Sequence, residues 1–190
     1  MLPALDSAFF AQDVHVVARG LIGALFVVDG VGGVVVETEA YAPDDPASHS
    51  YRGRTRRNAT MFGPPGHLYV YRSYGIHWCA NVVCGDEGAG AAVLLRALEP
   101  IQGIARMQAR RGLDNIALLC SGPGRLCQAL GVTGDHDGLP LDRPPFQLHP
   151  PGAAAEIVRG LRVGITRASE RPWRYAIRNS PFVSRPRPRA

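Results

Sequence analysis

Residues 36–100 combine three kinds of side chain that chemistry on a nucleic acid needs. Two carboxylates and an aromatic ring follow one another in Glu37-Thr38-Glu39-Ala40-Tyr41. A basic run, Arg52-Gly53-Arg54-Thr55-Arg56-Arg57-Asn58, and the segment Tyr69-Val70-Tyr71-Arg72-Ser73-Tyr74-Gly75 come next. Carboxylates move protons, arginines bind phosphates, and aromatic rings stack on bases. Each part alone is weakly specific, but together they suit a protein that holds a nucleic-acid backbone, stacks a base and does chemistry beside it.

The composition indicates one globular domain. The chain has 190 residues, of which 46% are hydrophobic, enough for a single well-buried core. It contains no run of about 18 uninterrupted apolar residues, and its N-terminus has no basic segment followed by an apolar one. We therefore expect a cytoplasmic protein with no membrane partner.

The basic residues are unusual because all 21 are arginines and the sequence contains no lysine. The net charge is +5 and the pI about 9.4. The planar fork of arginine suits phosphates and base edges, although a GC-rich genome explains the same bias equally well. Without lysine, no side-chain amine can form a Schiff base with a sugar aldehyde. If the protein acts on nucleosides, we expect water to be the attacking group.

The four cysteines stand in two pairs, Cys79 with Cys84 and Cys120 with Cys127. Their spacing matches neither a Cys-x-x-Cys motif nor a His-Glu-x-x-His motif. We therefore predict buried free thiols and no metal site.

Turn residues and apolar spacing predict the elements that position these side chains. Residues 13–20 are predicted to form a short helix with Asp13 as its N-cap. The β-branched runs at residues 25–29 and 34–41, joined by residues 30–33, predict a hairpin. The Pro-, Gly-, Ser- and Arg-rich residues 41–65 predict a long loop, and such loops in compact domains are usually functional or disordered.

Later segments predict more strands and two helices. The strands are expected at residues 68–74, 78–83, 91–97, 161–166 and 175–177. One helix is expected to follow Glu99-Pro100, to contain Ile101, Ile104, Met107 and Gln108, and to end at Gly112. The other is expected to follow Ser121-Gly122-Pro123 and to end at Gly131.

Alternation along the second predicted strand brings the two carboxylates together. Residues two apart on a strand point to the same face. One face would carry Val35, Glu37, Glu39 and Tyr41, and the other Val34, Val36, Thr38 and Ala40. The apolar second face would cover the core, and the first would project where the strand meets the loop, a common place for catalytic residues. The alternative for either glutamate is a surface residue that is solvated or paired with arginine.

The aromatic residues also have two interpretations. Tyr69 and Tyr71 alternate with Val70, so packing in the core or across strands is their default role. Tyr74 precedes Gly75 at a predicted hairpin tip, where an exposed ring could act as a wedge between base pairs. His49 lies in the polar loop and either contacts a ligand or is an exposed residue without a role.

A series of ordered motifs resembles a known family. The motifs are Glu37-Thr38-Glu39-Ala40-Tyr41, His49-Ser50, Met61-Phe62, Gly66-His67-Leu68-Tyr69-Val70-Tyr71, Tyr74-Gly75, Cys79-Ala80-Asn81, Leu94-Leu95-Arg96-Ala97-Leu98-Glu99-Pro100 and Ser121-Gly122-Pro123-Gly124-Arg125-Leu126-Cys127-Gln128-Ala129-Leu130. They resemble the alkyladenine (3-methyladenine) DNA glycosylases of the mammalian type, which also occur in bacteria. The likeness extends from Phe9 to Val183.

The resemblance implies an α+β fold and a function in DNA repair. The fold would be a single mixed domain with a curved antiparallel sheet and flanking helices, covering residues 1–184, with residues 185–190 as a flexible tail. The enzyme would remove alkylated or deaminated purines from double-stranded DNA in base-excision repair. It would act as a monomer without a cofactor, in the bacterial cytosol or nucleoid.

The resemblance also assigns catalytic and stacking roles. Glu39 would be the general base that activates a water for attack on the sugar carbon, and Arg96 would help to position that water. Tyr41 would stack on one face of the flipped base, with His49 and Tyr71 on the other.

Four further residues would contact the DNA or select the base. Tyr74 would fill the gap left in the duplex, and Asn81 would crowd the amino group of normal guanine. Thr55 and Arg57, within the basic run, would bind DNA. No residue is indicated as the general acid that a neutral lesion needs.

Two functions from other classes stay open at the level of sequence. One is a catalytically silent nucleic-acid-binding module, in which arginines bind phosphates and tyrosines stack on bases. The other is a hydrolase of small nucleosides or sugars that uses Glu37 and Glu39 as an acid and base pair.

Overall fold

Eight antiparallel strands form one curled sheet in the computed structural model, which describes residues 5–187. The strands are β1 (Leu25–Val28), β2 (Val31–Tyr41), β3 (Leu68–Ser73), β4 (His77–Cys84), β5 (Ala91–Gln102), β6 (Phe146–His149), β7 (Ile157–Gly160) and β8 (Arg174–Ile177). The helices are α1 (Ser7–Phe10), α2 (Val14–Gly20), α3 (Ile104–Arg111), α4 (Ile116–Leu119) and α5 (Pro123–Leu130). This single α+β domain with a curved sheet is the predicted fold class.

Strand β2 organises the sheet because it pairs with three other strands. The order across the sheet is β3-β4-β5-β2-β1-β6. Strand β5 pairs along most of β2, whereas β1 pairs with its first part and β8 with residues 37–39. The middle of β2 is therefore enclosed by neighbours on both edges, and the functional residues lie in this part.

A double irregularity in the β2·β5 pairing corrects the predicted strand faces. Register shifts occur between Val35 and Glu37 and between Glu37 and Thr38. Val35 belongs to the main core, whereas Val36 packs in a separate cluster with Val158 and Val183. A β-bulge adds one residue and so reverses the alternation of faces. Val35 was predicted to share a face with Glu37, and Val36 with Thr38. Both predictions are wrong, because the bulge lies between the members of each pair.

Beyond the bulge the predicted alternation holds. Thr38 faces the helices, where its hydroxyl donates to the carbonyl of Ala18 in α2 at 2.9 Å, and Ala40 lies in the main core. Glu37, Glu39 and Tyr41 take the opposite face together, as predicted.

The first hairpin turns over two residues and not over residues 30–33. Asp29 and Gly30 have φ values of 48° and 73°, which is the left-handed pair that a tight type I′ turn requires. Gly33 belongs to β2, where an added Cβ would lie 1.9 Å from the carbonyl oxygen of Glu99. Glycine at this position therefore allows the β5 backbone to approach closely. In the sequence, a glycine with this role cannot be distinguished from a glycine in a turn.

The two faces of the sheet have different roles. Leu68, Val82 and Val93, from β3, β4 and β5, pack in the main core with the helices. Alternate residues of the same strands point to the concave face, where Tyr69 and Val83 pack with other apolar residues in a second cluster. The helices therefore stabilise one face, and the other remains available to form a site.

The predicted helices match the structure better than the last predicted strands do. Asp13 caps α2, and α3 and α5 end at Gly112 and Gly131, as predicted. The predicted start of α3 is wrong, because Ile101 belongs to β5 and the helix begins at Ile104. The strand predicted at residues 161–166 is wrong, because β7 ends at Gly160 and the following residues form a loop. The tail predicted at residues 185–190 lies partly outside the described residues.

The described helices are short, the longest having eight residues, and none of them could span a bilayer. All four cysteines are buried and free, as predicted. Burial raises the pKa of the Cys84 and Cys120 thiols to about 12.

Candidate active site

The concave face of the sheet forms one wall of a cavity of about 790 Å³. Strands β2 to β5 contribute Tyr41, Tyr69, Tyr71, Cys79, Asn81, Leu94 and Arg96. The basic loop between β2 and β3 contributes His49, Arg52 and Arg57, and the loop after β7 contributes residues 163–167. The cavity therefore brings together four of the candidate site residues from rigid strands, Tyr74 from a hairpin tip, and two more from the basic loop.

Glu39 lies directly behind the cavity wall. Its side chain is fully buried, and it accepts hydrogen bonds from the Tyr41 hydroxyl at 2.9 Å and from the backbone N–H of Val163 at 2.8 Å. Nη1 of Arg96 lies 3.3 Å from its Oε1. Glu39 itself contributes no surface to the cavity, but these three partners do. The carboxylate is therefore enclosed and not open to a ligand as the strand position had suggested.

Arg96 connects the two glutamates of β2. It is the additional residue of β5 at the second register shift, because Glu37 pairs with Ala97 and Thr38 with Leu95. Its Nε lies 3.3 Å from Glu37 and its Nη2 donates to the Ser184 hydroxyl at 3.1 Å. Burial lowers the pKa of the guanidinium, but Glu39 and Glu37 outweigh this effect and raise it overall. Bulges often re-aim a side chain beside a functional site, and this bulge directs Arg96 toward both carboxylates.

Glu37 is a structural anion. Its carboxylate accepts from Nε of Arg174, from the Ser184 N–H at 2.8 Å and from the Ser184 hydroxyl at 3.0 Å. It is fully buried and does not line the cavity. These contacts disfavour the hydrolase alternative, which needs Glu37 to exchange protons with a substrate. Both glutamates are paired with arginine, but neither is the surface residue of the alternative interpretation, because both are fully buried.

Three aromatic rings form a connected wall. The rings of His49 and Tyr71 meet edge to face at a centroid distance of 4.4 Å, and Tyr69 stacks on Tyr71 at 5.6 Å. Nδ1 of His49 lies 3.0 Å from the Tyr69 hydroxyl. Burial, with a contribution from Arg57, lowers the pKa of His49 below 6.5, and burial raises the pKa of Tyr71. The wall is therefore uncharged at neutral pH.

Tyr41 is supported by a buried ion pair. The Arg162 guanidinium lies over its ring at 4.7 Å and is held by Asp45, with one of their two contacts at 3.0 Å. Arg162 also donates to the Ala40 carbonyl at 3.0 Å. Burial, followed by the nearby Glu39, raises the pKa of Tyr41 well above its ordinary value. The phenol therefore stays protonated and remains a donor to Glu39.

Asn81 lies on the floor of the cavity. Its side-chain amide donates to the Tyr69 carbonyl at 3.1 Å, which fixes its orientation, and only 4% of the residue is exposed. A fixed amide at this position can limit the shape of a ligand.

The basic loop is organised by Asn58. Its Oδ1 accepts from both the N–H and the hydroxyl of Thr55, and its Nδ2 donates to the carbonyls of His49 and Gly53. Thr55 and Arg57 are exposed, and Arg57 lines the cavity while donating to the Arg72 carbonyl at 3.1 Å. The loop therefore presents cations at the rim of the cavity and holds His49 in place.

Tyr74 projects from the tip of the β3–β4 hairpin, as predicted. It has φ of 50°, Gly75 has φ of 69°, and the N–H of Ile76 donates to the Ser73 carbonyl at 3.0 Å. This tight turn leaves the Tyr74 side chain 86% exposed at the edge of the cavity. Such exposure of a large aromatic residue is unexplained by packing within the described residues.

Several residues in this site were missed in the sequence. Val163 and Arg162 fell in a segment predicted as a strand, and Asp45 lay in the long loop without a motif of its own. Arg174 and Ser184 had no distinguishing pattern. Four of them contact β2 directly although they lie more than 100 residues away in the sequence. Asp45 acts on β2 only through Arg162.

The sequence of the chain matches the profile of the methylpurine-DNA glycosylases over residues 8–181. The chain belongs to the methylpurine-DNA glycosylase family. A relative from Rhodopseudomonas palustris (strain HaA2) is 60% identical over 184 residues, which cover 97% of this chain and 92% of the relative. Relatives from Agrobacterium fabrum (strain C58 / ATCC 33970) and Nitrosospira multiformis (strain ATCC 25196 / NCIMB 11849 / C 71) are 59% and 58% identical and cover 96% and 97% of the chain, and 93% and 94% of their own lengths. All three bear the name "Putative 3-methyladenine DNA glycosylase".

The match to the methylpurine-DNA glycosylase family includes nearly the whole cavity. It covers Glu39, Arg96 and the loop that carries Val163, but it ends at residue 181, before Ser184. Of the two residues that anchor Glu37, Arg174 therefore lies within the matched segment and Ser184 beyond it.

Proposed function

We propose that this protein is a monofunctional DNA glycosylase of base-excision repair. It hydrolyses the N-glycosidic bond of alkylated or deaminated purines that have flipped out of duplex DNA. The observation that carries this proposal is the buried Glu39–Arg96 pair directly behind an aromatic cavity of about 790 Å³. Residues 1–184 form the glycosylase domain, which works as a monomer because one chain provides the whole cavity. Since its close relatives are bacterial, the bacterial cytosol or nucleoid is its place of action.

The cavity suits a purine that has left the base stack. Chemistry at the glycosidic bond is blocked inside a duplex, so the nucleotide must be extruded at a cost of a few kcal/mol. Stacking on protein aromatic rings returns about 1–3 kcal/mol per base. Tyr41 supplies one stacking surface, and Tyr71 with His49 supplies the other. Their uncharged state suits neutral and cationic purines alike.

Side chains at the rim of the cavity hold the duplex open and bind its negatively charged backbone. Tyr74, exposed at the hairpin tip, occupies the space from which the nucleotide has left. Thr55 and Arg57 bind the DNA backbone beside the cavity, since arginine and hydroxyl groups are common phosphate donors. Asn81 crowds the exocyclic amino group of normal guanine. The weakened glycosidic bond of cationic 7-methylguanine, which has the same amino group, offsets this penalty, whereas the bond of normal guanine does not.

Glu39 acts as the general base. A water that enters the cavity wall between Tyr41 and Arg96 reaches the enclosed Glu39 carboxylate and transfers a proton to it, while the water oxygen forms a bond to C1′ of the deoxyribose. The bond between C1′ and the purine nitrogen breaks, and its electron pair leaves with the base. A cationic purine departs as a neutral molecule without further help. The products are the free base and an abasic site, and the backbone stays intact because the sequence offers no lysine for an imine.

The decisive experiment compares the wild type with Glu39→Gln. The substrate is a duplex that carries one 7-methylguanine or hypoxanthine, and free base is detected by chromatography. We expect the variant to lose about 10²- to 10⁴-fold in rate, the usual contribution of a general base, while still binding the duplex. Backbone cleavage without alkali, or unchanged base release by the variant, would contradict the proposal. The binding-only alternative predicts no base release by either protein.

A further inference from the structure

The buried Arg162–Asp45 pair connects the two aromatic walls of the active-site cavity. Arg162 lies in the loop after β7, and Asp45 lies in the loop after β2, halfway along the chain between Tyr41 and His49. The carboxylate accepts hydrogen bonds from Nη1 and Nη2 of the guanidinium, the second at 3.0 Å, and both side chains are fully buried. The pair therefore joins the ring of one wall to the segment that carries part of the other.

Arg162 is fixed to the Tyr41 wall. Its Nη1 donates to the carbonyl of Ala40 at 3.0 Å, and its guanidinium lies 4.7 Å from the centroid of the Tyr41 ring. The centroid of the Trp173 ring lies 5.1 Å from the same guanidinium. A guanidinium over an aromatic face is attracted by the π electrons of the ring. Because Tyr41 lines the cavity and Arg162 does not, the arginine supports the ring from behind and leaves its cavity side to a ligand.

Asp45 fixes the segment that leads to His49. Its Oδ1 accepts a hydrogen bond from the N–H of Ala47 at 3.1 Å, and its carbonyl accepts one from the N–H of Ser48 at 2.8 Å. The same carboxylate is held by the guanidinium of Arg162 through a two-point contact, the geometry in which arginine binds a carboxylate most specifically. The position of His49 relative to the opposite wall therefore depends on this ion pair.

We propose that Arg162 and Asp45 are positioning residues that set the separation of the two aromatic walls and so determine how tightly a flipped purine is held. A base gains from two stacking surfaces only if both lie at van der Waals distance from it. A gap of about 0.5–1 Å already removes about a quarter to a half of the dispersion attraction. The inference rests on the proposed function, because it concerns the same cavity, and it gives a role to a pair that touches no substrate.

The test measures binding in the Glu39→Gln background, so that base release does not interfere. Affinities for a hypoxanthine duplex and for an undamaged duplex are compared before and after adding Asp45→Asn or the double change Arg162→Met/Asp45→Asn. The double change leaves no unpaired buried charge, so it preserves the fold even if Asp45→Asn alone does not. With either change, lesion affinity should fall about tenfold, since stacking contributes about 5- to 150-fold per base. Affinity for the undamaged duplex should stay within about twofold, because no base enters the cavity.

The matched control makes the same changes in an exposed pair, Asp142→Asn/Arg143→Met, which does not line the cavity and should keep the lesion preference. The slope of log affinity against log salt should be equal in all these proteins, since no phosphate contact is lost. Lesion preference retained by the double variant, equal weakening with both duplexes, or a changed slope would overturn the inference. A Glu39→Gln protein without any lesion preference would contradict the proposed function together with this inference.

Discussion

The hydroxyl of Tyr41 donates a hydrogen bond of 2.9 Å to Oε2 of Glu39. Two residues on the same strand face are therefore joined, one lining the cavity and the other enclosed behind it. Because the raised pKa of Tyr41 keeps its hydroxyl protonated, this contact persists across the neutral range. The residue that would stack on the base thus orients the residue that would activate water.

Tyr41→Phe separates these two roles. The ring remains for stacking, but the Glu39 carboxylate loses one of its donors. A hydrogen bond to a charged group contributes about 1.5–3 kcal/mol, so we expect single-turnover base release to slow roughly 10- to 100-fold. Lesion-duplex affinity should stay within about twofold of the wild type if stacking supplies most of the binding. Tyr175→Phe, which loses a buried contact to His15 outside the cavity, is the control and should keep the wild-type rate.

Glu37→Gln tests the structural role of the second glutamate. The change leaves Arg174 and Arg96 buried with less negative charge, and breaking a buried pair in this way costs about 3–5 kcal/mol. Denaturant titration should therefore show a large loss in the free energy of unfolding. Glu156→Gln removes an exposed pair with Arg178 and should cost at most about 1 kcal/mol. A Glu37→Gln protein as stable as the wild type would show that this network does not support the fold.

The lowered pKa of His49 predicts the pH dependence of lesion binding. Because the pKa of His49 is lowered from its ordinary value of about 6.5, the imidazole is mostly neutral at pH 6.5 and gains a proton only at lower pH. Protonation then places a positive charge in the aromatic wall, close to Arg57. Binding of a cationic 7-methylguanine duplex should be constant from about pH 8 to pH 6.5 and should weaken below that range. The Glu39→Gln variant is used so that base release does not interfere.

Two comparisons isolate the contribution of His49. A hypoxanthine duplex carries no charge on the base, so its binding should weaken less at low pH. The double variant Glu39→Gln/His49→Gln should lose the additional weakening seen with 7-methylguanine. Identical pH profiles for the two lesions would argue against protonation of His49 in the cavity wall.

Tyr74→Ala tests the wedge at the hairpin tip. Since the side chain is 86% exposed, its removal should change stability by no more than about 0.5 kcal/mol. Base release at low enzyme concentration should fall, because the flipped state loses the ring that fills the duplex. Ile101→Ala, which shortens a residue that is 54% exposed and does not line the active-site cavity, should retain activity. Full activity of Tyr74→Ala would remove this residue from the DNA-binding surface.

Local patterns in the sequence predicted the elements that depend on neighbours along the chain. The Asp13 cap, the glycine ends of two helices and the exposed position of Tyr74 all follow from a few adjacent residues. Strand period also placed Glu39 and Tyr41 on one face correctly. These features need no knowledge of distant segments.

The remaining features depend on pairing between distant residues. The bulges in the β2·β5 pairing place Val35 and Val36 on the faces of the sheet opposite to those predicted. The alternation of residues along one strand cannot reveal a bulge, because a bulge depends on the partner strand. The apolar run at residues 161–166 resembles a strand, but its backbone serves Glu39 through Val163. The burial of Glu39 itself also depends on such contacts, which is why its position at the end of a strand suggested exposure.

The anchoring of the glutamates has a consequence for biosynthesis. Val163, Arg174 and Ser184 are synthesised more than 120 residues after Glu37 and Glu39. Until then both carboxylates lack these three partners, so the buried network around them is completed only after residue 184 has been added. We therefore expect a polypeptide truncated before Val163 to lack the enclosed environment of Glu39 and to release no base.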